Sequence, residues 1–229
     1  MEIKRTLYTV YNMSMKERPN ISLELAETLR EMIYDGRLPA DSRINEVHLS
    51  EALGVSRTPL REALAMLVVE DALEAKPRRG TFVRPLTRKA FLDIYQVRPL
   101  LDDGALRMAG IPDAETLARL GELNDRLTNA KGVRLRIEID DEWHLLLVAG
   151  CDNPVLLGLI HQFMLRTRRY ELAYLQEQQH TNTAVDEHLL IMDGLERDDL
   201  DAARAALQTN RTSCVDPILQ WLDERENQS

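Results

Sequence analysis

The sequence lacks most of what marks a secreted, membrane-embedded or catalytic chain. It has two cysteines in 229 residues, Cys151 and Cys214. They show no CxxC spacing and no secretory leader is read ahead of them, so a disulfide scaffold is excluded and a reduced, cytoplasmic setting is expected. No apolar run approaches the roughly 18 residues of a membrane span. There is no HExxH, no GxSxG, no glycine-rich phosphate loop and no nucleophile beside a base, which argues against an enzyme. Aromatic residues amount to 5%. Leu, Ala, Glu and Arg are abundant instead, a composition that favours helix.

Basic charge is also scarce. The chain has 29 Lys+Arg against 38 Asp+Glu, a net charge of -9. The deficit is unevenly spread: residues 1–85 carry 13 of each sign, whereas residues 86–229 carry 16 basic and 25 acidic residues. A polyanion such as DNA is repelled by the second part, so contact must be made by the first. The chain therefore divides into a tail over 1–20, a first domain over 21–85 and a second over 86–229. Met13 and Met15 leave open whether the tail is a disordered extension or the product of an early start codon.

In the first domain, Leu25, Leu29, Met32 and Ile33 recur at helical spacing within Ile21–Tyr34, with Ser22 as N-cap and Gly36 as the stop. Asn45–Leu53 reads as a short helix ended by Gly54. The next helix starts after Ser56, with Pro59 in its first turn and Leu60, Leu64, Leu67 and Val68 inward. Leu73–Lys76 and Thr81–Val83 read as strands flanking the turn Pro77-Arg78-Arg79-Gly80. Three helices followed by a hairpin make a winged helix-turn-helix. After the linker Leu86-Thr87 there is no strand signal. Helices are predicted over about 89–109, 113–129, 134–150, 154–178, 183–196 and 199–225, an all-α six-helix bundle. The whole is mainly α.

The run Gly54 to Leu64 carries the strongest chemistry. A recognition helix shows its N-terminal turn to the major groove. Ser56 and Thr58 offer hydroxyls to phosphate, and Arg57 and Arg61, four residues apart, share a face from which either spans the two acceptors of guanine. Taken singly, such arginines also suit a merely solvated helix. The full run resembles the recognition helix of the GntR family of bacterial regulators. The resemblance extends back through Leu49-Ser50-Glu51-Ala52-Leu53 and forward through Pro77-Arg78-Arg79-Gly80-Thr81-Phe82-Val83, nearly all of residues 21–83. It implies DNA contact at Ser56, Arg57, Thr58, Pro59 and Arg61, with Gly80 at the wing tip approaching the minor groove and Arg78 and Arg79 beside it free to reach phosphates or that groove. Val47 stands where some members read a base from the preceding helix, and it cannot hydrogen-bond. His48 reads as a surface residue.

The second domain resembles, more loosely and over residues 89–225, the FCD domain of the FadR-like branch of that family, with a helix count that suits the VanR-like subgroup. Its markers are Tyr95-Gln96-Val97-Arg98 with Asp102, Asp140-Asp141-Glu142-Trp143-His144, Asp152-Asn153-Pro154 and Glu187-His188. The resemblance implies a small-molecule effector, often an organic acid, and in many members a divalent metal held by one Asp and three His. Asp140 and His144 share a helix face, and His188 lies on a later helix. Asn210 stands where the third His is expected, so Zn, Ni or Mn would meet an incomplete set, or none would be held. Arg98 sits on an apolar helix face and needs an anion: either Asp102 one turn on or an effector carboxylate. Asn210, Tyr95 and Arg169 are further effector candidates, with Arg168, Tyr170 and Tyr174 near them in sequence. His161 reads as packing or pocket lining, and His180 falls in a polar loop. The expectation is a transcriptional repressor, a homodimer on a palindromic operator of double-stranded DNA, with no membrane association. Two rivals stand beside it. A metal-dependent hydrolase would use Asp140, His144 and His188, and a helical adaptor would use its winged helix to bind protein.

Overall fold

The computed structural model describes residues 21–177 and 183–227; the tail over 1–20 and His180 lie outside the described residues. The first helix, α1 (Ile21–Tyr34), begins before Ser22, so Ser22 is no cap. It is buried and donates its hydroxyl to Glu62 Oε2 at 2.5 Å. The second, α2 (Glu46–Ala52), is capped by Asn45, whose side chain accepts from the His48 amide. The third, α3 (Arg57–Val69), buries Leu60, Ala63, Leu64 and Leu67 against α1. This i, i+3, i+4, i+7 stripe joins Leu25, Leu29, Leu49, Leu73 and Val83 in one core.

Strands β1 (Leu73–Lys76) and β2 (Gly80–Val83) pair antiparallel, Leu73 opposite Val83 and Lys76 opposite Gly80. The turn places Arg78 at φ 61° and Gly80 at φ 101°, the left-handed region in which glycine is at ease and arginine is not. The segment before α2 adds a short third rung that sequence does not announce. Ile44 donates to Thr81 O, Val83 donates to Ser42 O, and Arg43 bridges Phe82.

Thr87 caps α4 (Arg88–Tyr95), and α5 (Arg98–Ala109) follows after a one-turn interruption at Gln96-Val97. The predicted 89–109 helix is thus two, broken where Pro99 removes a helical amide donor. Then come α6 (Ala114–Asn129), α7 (Val133–Leu147), α8 (Pro154–Glu177), α9 (Ala184–Glu196), α10 (Leu200–Ser213) and α11 (Val215–Glu226). The predicted 199–225 helix is likewise interrupted, at Cys214 just before Pro217. Helices α5 to α10 close around Leu106, Leu120, Leu127, Trp143, Leu147 and Ile160. A second apolar cluster of Phe91, Tyr95, Tyr170, Tyr174 and Trp221 sits between α4, α8 and α11. Among the described residues, no helix is long and apolar enough to cross a membrane.

Candidate functional site

Two sites take shape, one on the surface and one recessed. The exposed one is the start of α3 together with the hairpin tip. The side chain of Ser56 makes no capping bond, and Ser56, Arg57, Thr58 and Arg61 are all exposed, with Pro59 half-buried. The first-turn amides of α3 and two hydroxyls therefore face solvent together, the arrangement that receives a phosphate. Arg78, Arg79 and Gly80 are exposed on the hairpin. Beside them lies a residue that sequence reasoning missed, Arg43: a Cβ on Gly80 would meet its Nε at 3.1 Å. Arg43 is brought to the wing by the third rung, which no periodicity signals. Val47 and His48 are both exposed.

The recessed site is a cavity of about 820 Å³ in the bundle, open to solvent on one side. It collects Tyr95, Arg98, Asp140, His144, Glu171, Tyr174, Asn210, Arg211, Cys214 and Trp221 from six helices. His188 is fully buried against its wall. Asn124 fixes how His188 presents itself. Its amide nitrogen donates to Val185 O, so its oxygen accepts from His188 Nδ1 at 3.0 Å. Nε2 of His188 therefore faces Asp140 Oδ1 at 3.4 Å and His144 Nε2 at 3.2 Å, as a lone pair when the ring is neutral and as an N–H donor when it is protonated. Trp143 stacks on the ring with 3.7 Å between centroids. Burial would raise the Asp140 carboxyl, but the hydrogen bond and charge of His188 outweigh it and bring it below its ordinary value. Burial and the positive neighbours Arg211, His188 and Arg98 push His144 well below its own.

Three donor atoms thus converge, all within 4.8 Å of one another, on a point that must hold a proton or a cation. Asn210 lines the same cavity; its nitrogen donates to Glu187 while its oxygen is buried with no hydrogen-bond partner among the described residues. Two imidazoles and a carboxylate fit a divalent ion with mixed nitrogen and oxygen preference.

Arg98 donates to Thr167 and, at 3.3 Å, to Glu171 Oε1, which also accepts from Tyr95. Asp102 is shared: its Oδ2 lies 3.0 Å from Arg211 Nε and 3.7 Å from Arg98 Nε. The nearer guanidinium is therefore Arg211, which sequence reasoning missed although it continues the buried stripe Ala203, Leu207, Asn210. Burial opposes the charge of Arg98, but Tyr95, Glu171 and Asp102 more than offset it. Burial pushes Glu171 above the usual carboxylate range despite Arg98. Burial also drives the Cys214 thiol up to about 11.

Arg169 corrects an expectation. It does not line the cavity, because it lies about 200° around α8 from Glu171. It grips the base of the hairpin, donating to the main-chain carbonyls of Asp71, at 3.0 Å, and Arg84. Arg168 pairs with Asp141, Nε to Oδ2 at 3.0 Å, and Tyr170 bonds to the Thr87 main chain, so neither faces the cavity. His161 is half-buried near Asp141 and Arg168, and burial lowers its pKa.

Helix α7 lines the cavity and reaches the first domain at α1. Asp140 and His144 look into the cavity. On another face, Arg134 Nη1 lies 2.9 Å from Glu31 of α1, and Asp141 holds Arg168.

Comparison with known proteins agrees with both halves. Residues 21–83 match the family described as bacterial regulatory proteins, gntR family, and residues 93–210 match the FCD domain. The chain is 30% identical over 213 residues, 82% of its length and 91% of the relative's, to the HTH-type transcriptional regulator YieP of Escherichia coli (strain K12). It is 34% identical over 131 residues to the Nta operon transcriptional regulator of Aminobacter aminovorans, covering 55% of this chain and 61% of that one. The solved structure of E. coli McbR/YncC superposes with a TM-score of 0.74 at 25% identity, covering 90% of this chain and 99% of that one. These families and relatives are regulators of transcription, not enzymes.

Proposed function

Since the chain belongs to the GntR family of bacterial regulatory proteins and carries an FCD domain, we propose that it is a homodimeric repressor whose grip on a palindromic operator is set by a small carboxylate in the bundle cavity. Residues 21–85 are the DNA reader and residues 86–229 the effector-binding and dimerising part. Ser56, Thr58 and the first-turn amides of α3 take phosphate, held in place by Pro59. Arg57 and Arg61 meet bases, and Arg78, Arg79 and Gly80 meet the minor groove. A two-fold pair of readers doubles contact on matching half-sites.

The observation that carries this reading is the placement of α7, with the cavity on one face and α1 on another. A ligand that prefers one position of α7 biases the reader through Arg134 and the Asp141–Arg168 pair, which is all that coupling between two sites requires. Arg98 and Arg211 supply cationic donors for an effector carboxylate, with Tyr95 and Asn210 beside them. Asp140, His144 and His188 are the residues that would hold Zn, Ni or Mn. When bound, such an ion supplies a Lewis-acidic contact for the same carboxylate.

The test starts with binding of the purified protein to a pool of duplexes as salt is raised. Wild type should lose affinity steeply, and Arg57→Ala and Arg61→Ala should each flatten the slope by about one charge. A flat wild-type response would discard the DNA reading in favour of a protein-binding adaptor. Metal analysis of wild type against His188→Ala tests the ion. An effector response that survives Arg98→Ala removes the carboxylate clamp.

A further inference from the structure

We infer that Glu46 sets the sequence specificity of the DNA reader by holding both recognition arginines from the preceding helix. The proposal rests on the DNA-binding reading of α3. Glu46 occupies the first position of α2, where the Asn45 cap fixes the chain's entry. Its Oε2 accepts from Arg61 Nε at 2.7 Å and lies 3.9 Å from Arg57 Nη2. Both arginines are more than half exposed, whereas the Glu46 side chain is 29% exposed, so the carboxylate is the settled member of the three.

Two consequences follow from the atoms involved. A carboxylate bound at Nε leaves the two terminal nitrogens of Arg61 free, and that pair can span the N7 and O6 acceptors of one guanine. The held guanidinium has less rotamer freedom to lose on docking. The charge has its own effect. Two arginines and one carboxylate present one net positive charge, so this patch attracts phosphate weakly and gains only when an aligned base edge replaces solvent. Arg43, Arg78 and Arg79 form no ion pair among the described residues. They are left to supply the attraction that ignores sequence. Specific and unspecific binding are thereby separated between α3 and the wing. Glu46 is a positioning residue: it acts on bases through Arg61 and Arg57.

The experiment is selection of binding sequences by the full-length protein from a randomised duplex pool. Binding of the selected duplex and of a scrambled duplex of equal length is then titrated against salt, for wild type, Glu46→Gln and Glu46→Asp. Glu46→Gln should bind the scrambled duplex more tightly, with a salt slope steeper by about one. Its preference for the selected duplex should fall roughly tenfold, the lower range of one well-aligned arginine contact. Glu46→Asp keeps the charge and should regain most of the preference, which a merely structural role for Glu46 does not predict. A preference within about twofold of wild type in Glu46→Gln, with an unchanged slope, overturns the proposal alone. A wild-type protein that selects no sequence overturns the DNA reading and the proposal with it.

Discussion

The arginines of the two sites live under opposite physical rules. Arg57 and Arg61 are 56% and 61% exposed, share one carboxylate and lie in water that screens whatever they do. Arg98 and Arg211 are 2% and 7% exposed, and the Asp102 they share is 3% exposed. The exposed pair is free to change partners, because water compensates each guanidinium as it moves. The buried pair cannot let go of one anion without another taking its place. A reader needs the first property, and a sensor that responds to an incoming anion needs the second.

The contrast breaks or sharpens under substitution. Arg98→Ala strands Glu171 and Asp102 beside a lost partner and should cost about 3–5 kcal/mol of stability in urea unfolding. Arg61→Ala should leave that midpoint within about 0.5 kcal/mol of wild type while weakening operator binding by about 1–3 kcal/mol. Equal stability losses in the two variants would erase the distinction. The same pairing applies to glycines. At Gly194 an added Cβ would lie 2.6 Å from the Ala203 backbone nitrogen, where α9 and α10 touch and nothing flexible can yield. Gly194→Ala should cost about 1–3 kcal/mol. At Gly80 the neighbour is the movable end of Arg43, so Gly80→Ala meets chiefly the strain of its positive φ, about 1 kcal/mol. Smallest is Arg134→Ala on the seam. Its pairs with Glu31 and Glu27 are roughly half exposed, so thermal unfolding should shift by less than about 1 kcal/mol. Its mark should fall on the effector-dependent change in operator affinity, which should shrink while effector binding in calorimetry is kept.

The two sites also differ in how far the sequence discloses them. The reader is built from contiguous residues, because a helix N-terminus and a hairpin turn each place neighbours in sequence side by side in space. Ser56 to Arg61 and Arg78 to Gly80 therefore stand out in the sequence as units, as the proposed points of DNA contact. Arg43 and Glu46 do not, since each reaches its partners across a loop that carries no periodic signal. The cavity draws on α4, α5 and α7 to α11, and of Asp140, His144 and His188 only the first two are near in sequence. Asn124, the residue that orients His188, did leave a trace. It interrupts the apolar stripe Leu120, Leu123, Leu127, and a polar residue there has to find a partner inside. Arg169 misled because two residues along a helix turn a side chain to the far side. The mainly α architecture was readable from periodicity, whereas the interruptions at Gln96-Val97 and Cys214 depend on prolines whose effect is felt a few residues upstream.

The grip of Arg169 on the hairpin has a consequence for how such molecules diversify. Its guanidinium takes two main-chain oxygens, those of Asp71 and Arg84, and so recognises the course of the backbone and ignores which residues supply it. The side chains at 71 and 84 add a link of their own, Arg84 Nε lying 3.1 Å from Asp71 Oδ1, while a change at position 169 releases both main-chain oxygens at once. This fastening asks for the outline of the hairpin, whereas the Arg134–Glu31 pair on the same seam asks for a particular side chain in α1, so a grafted first domain would have to supply both.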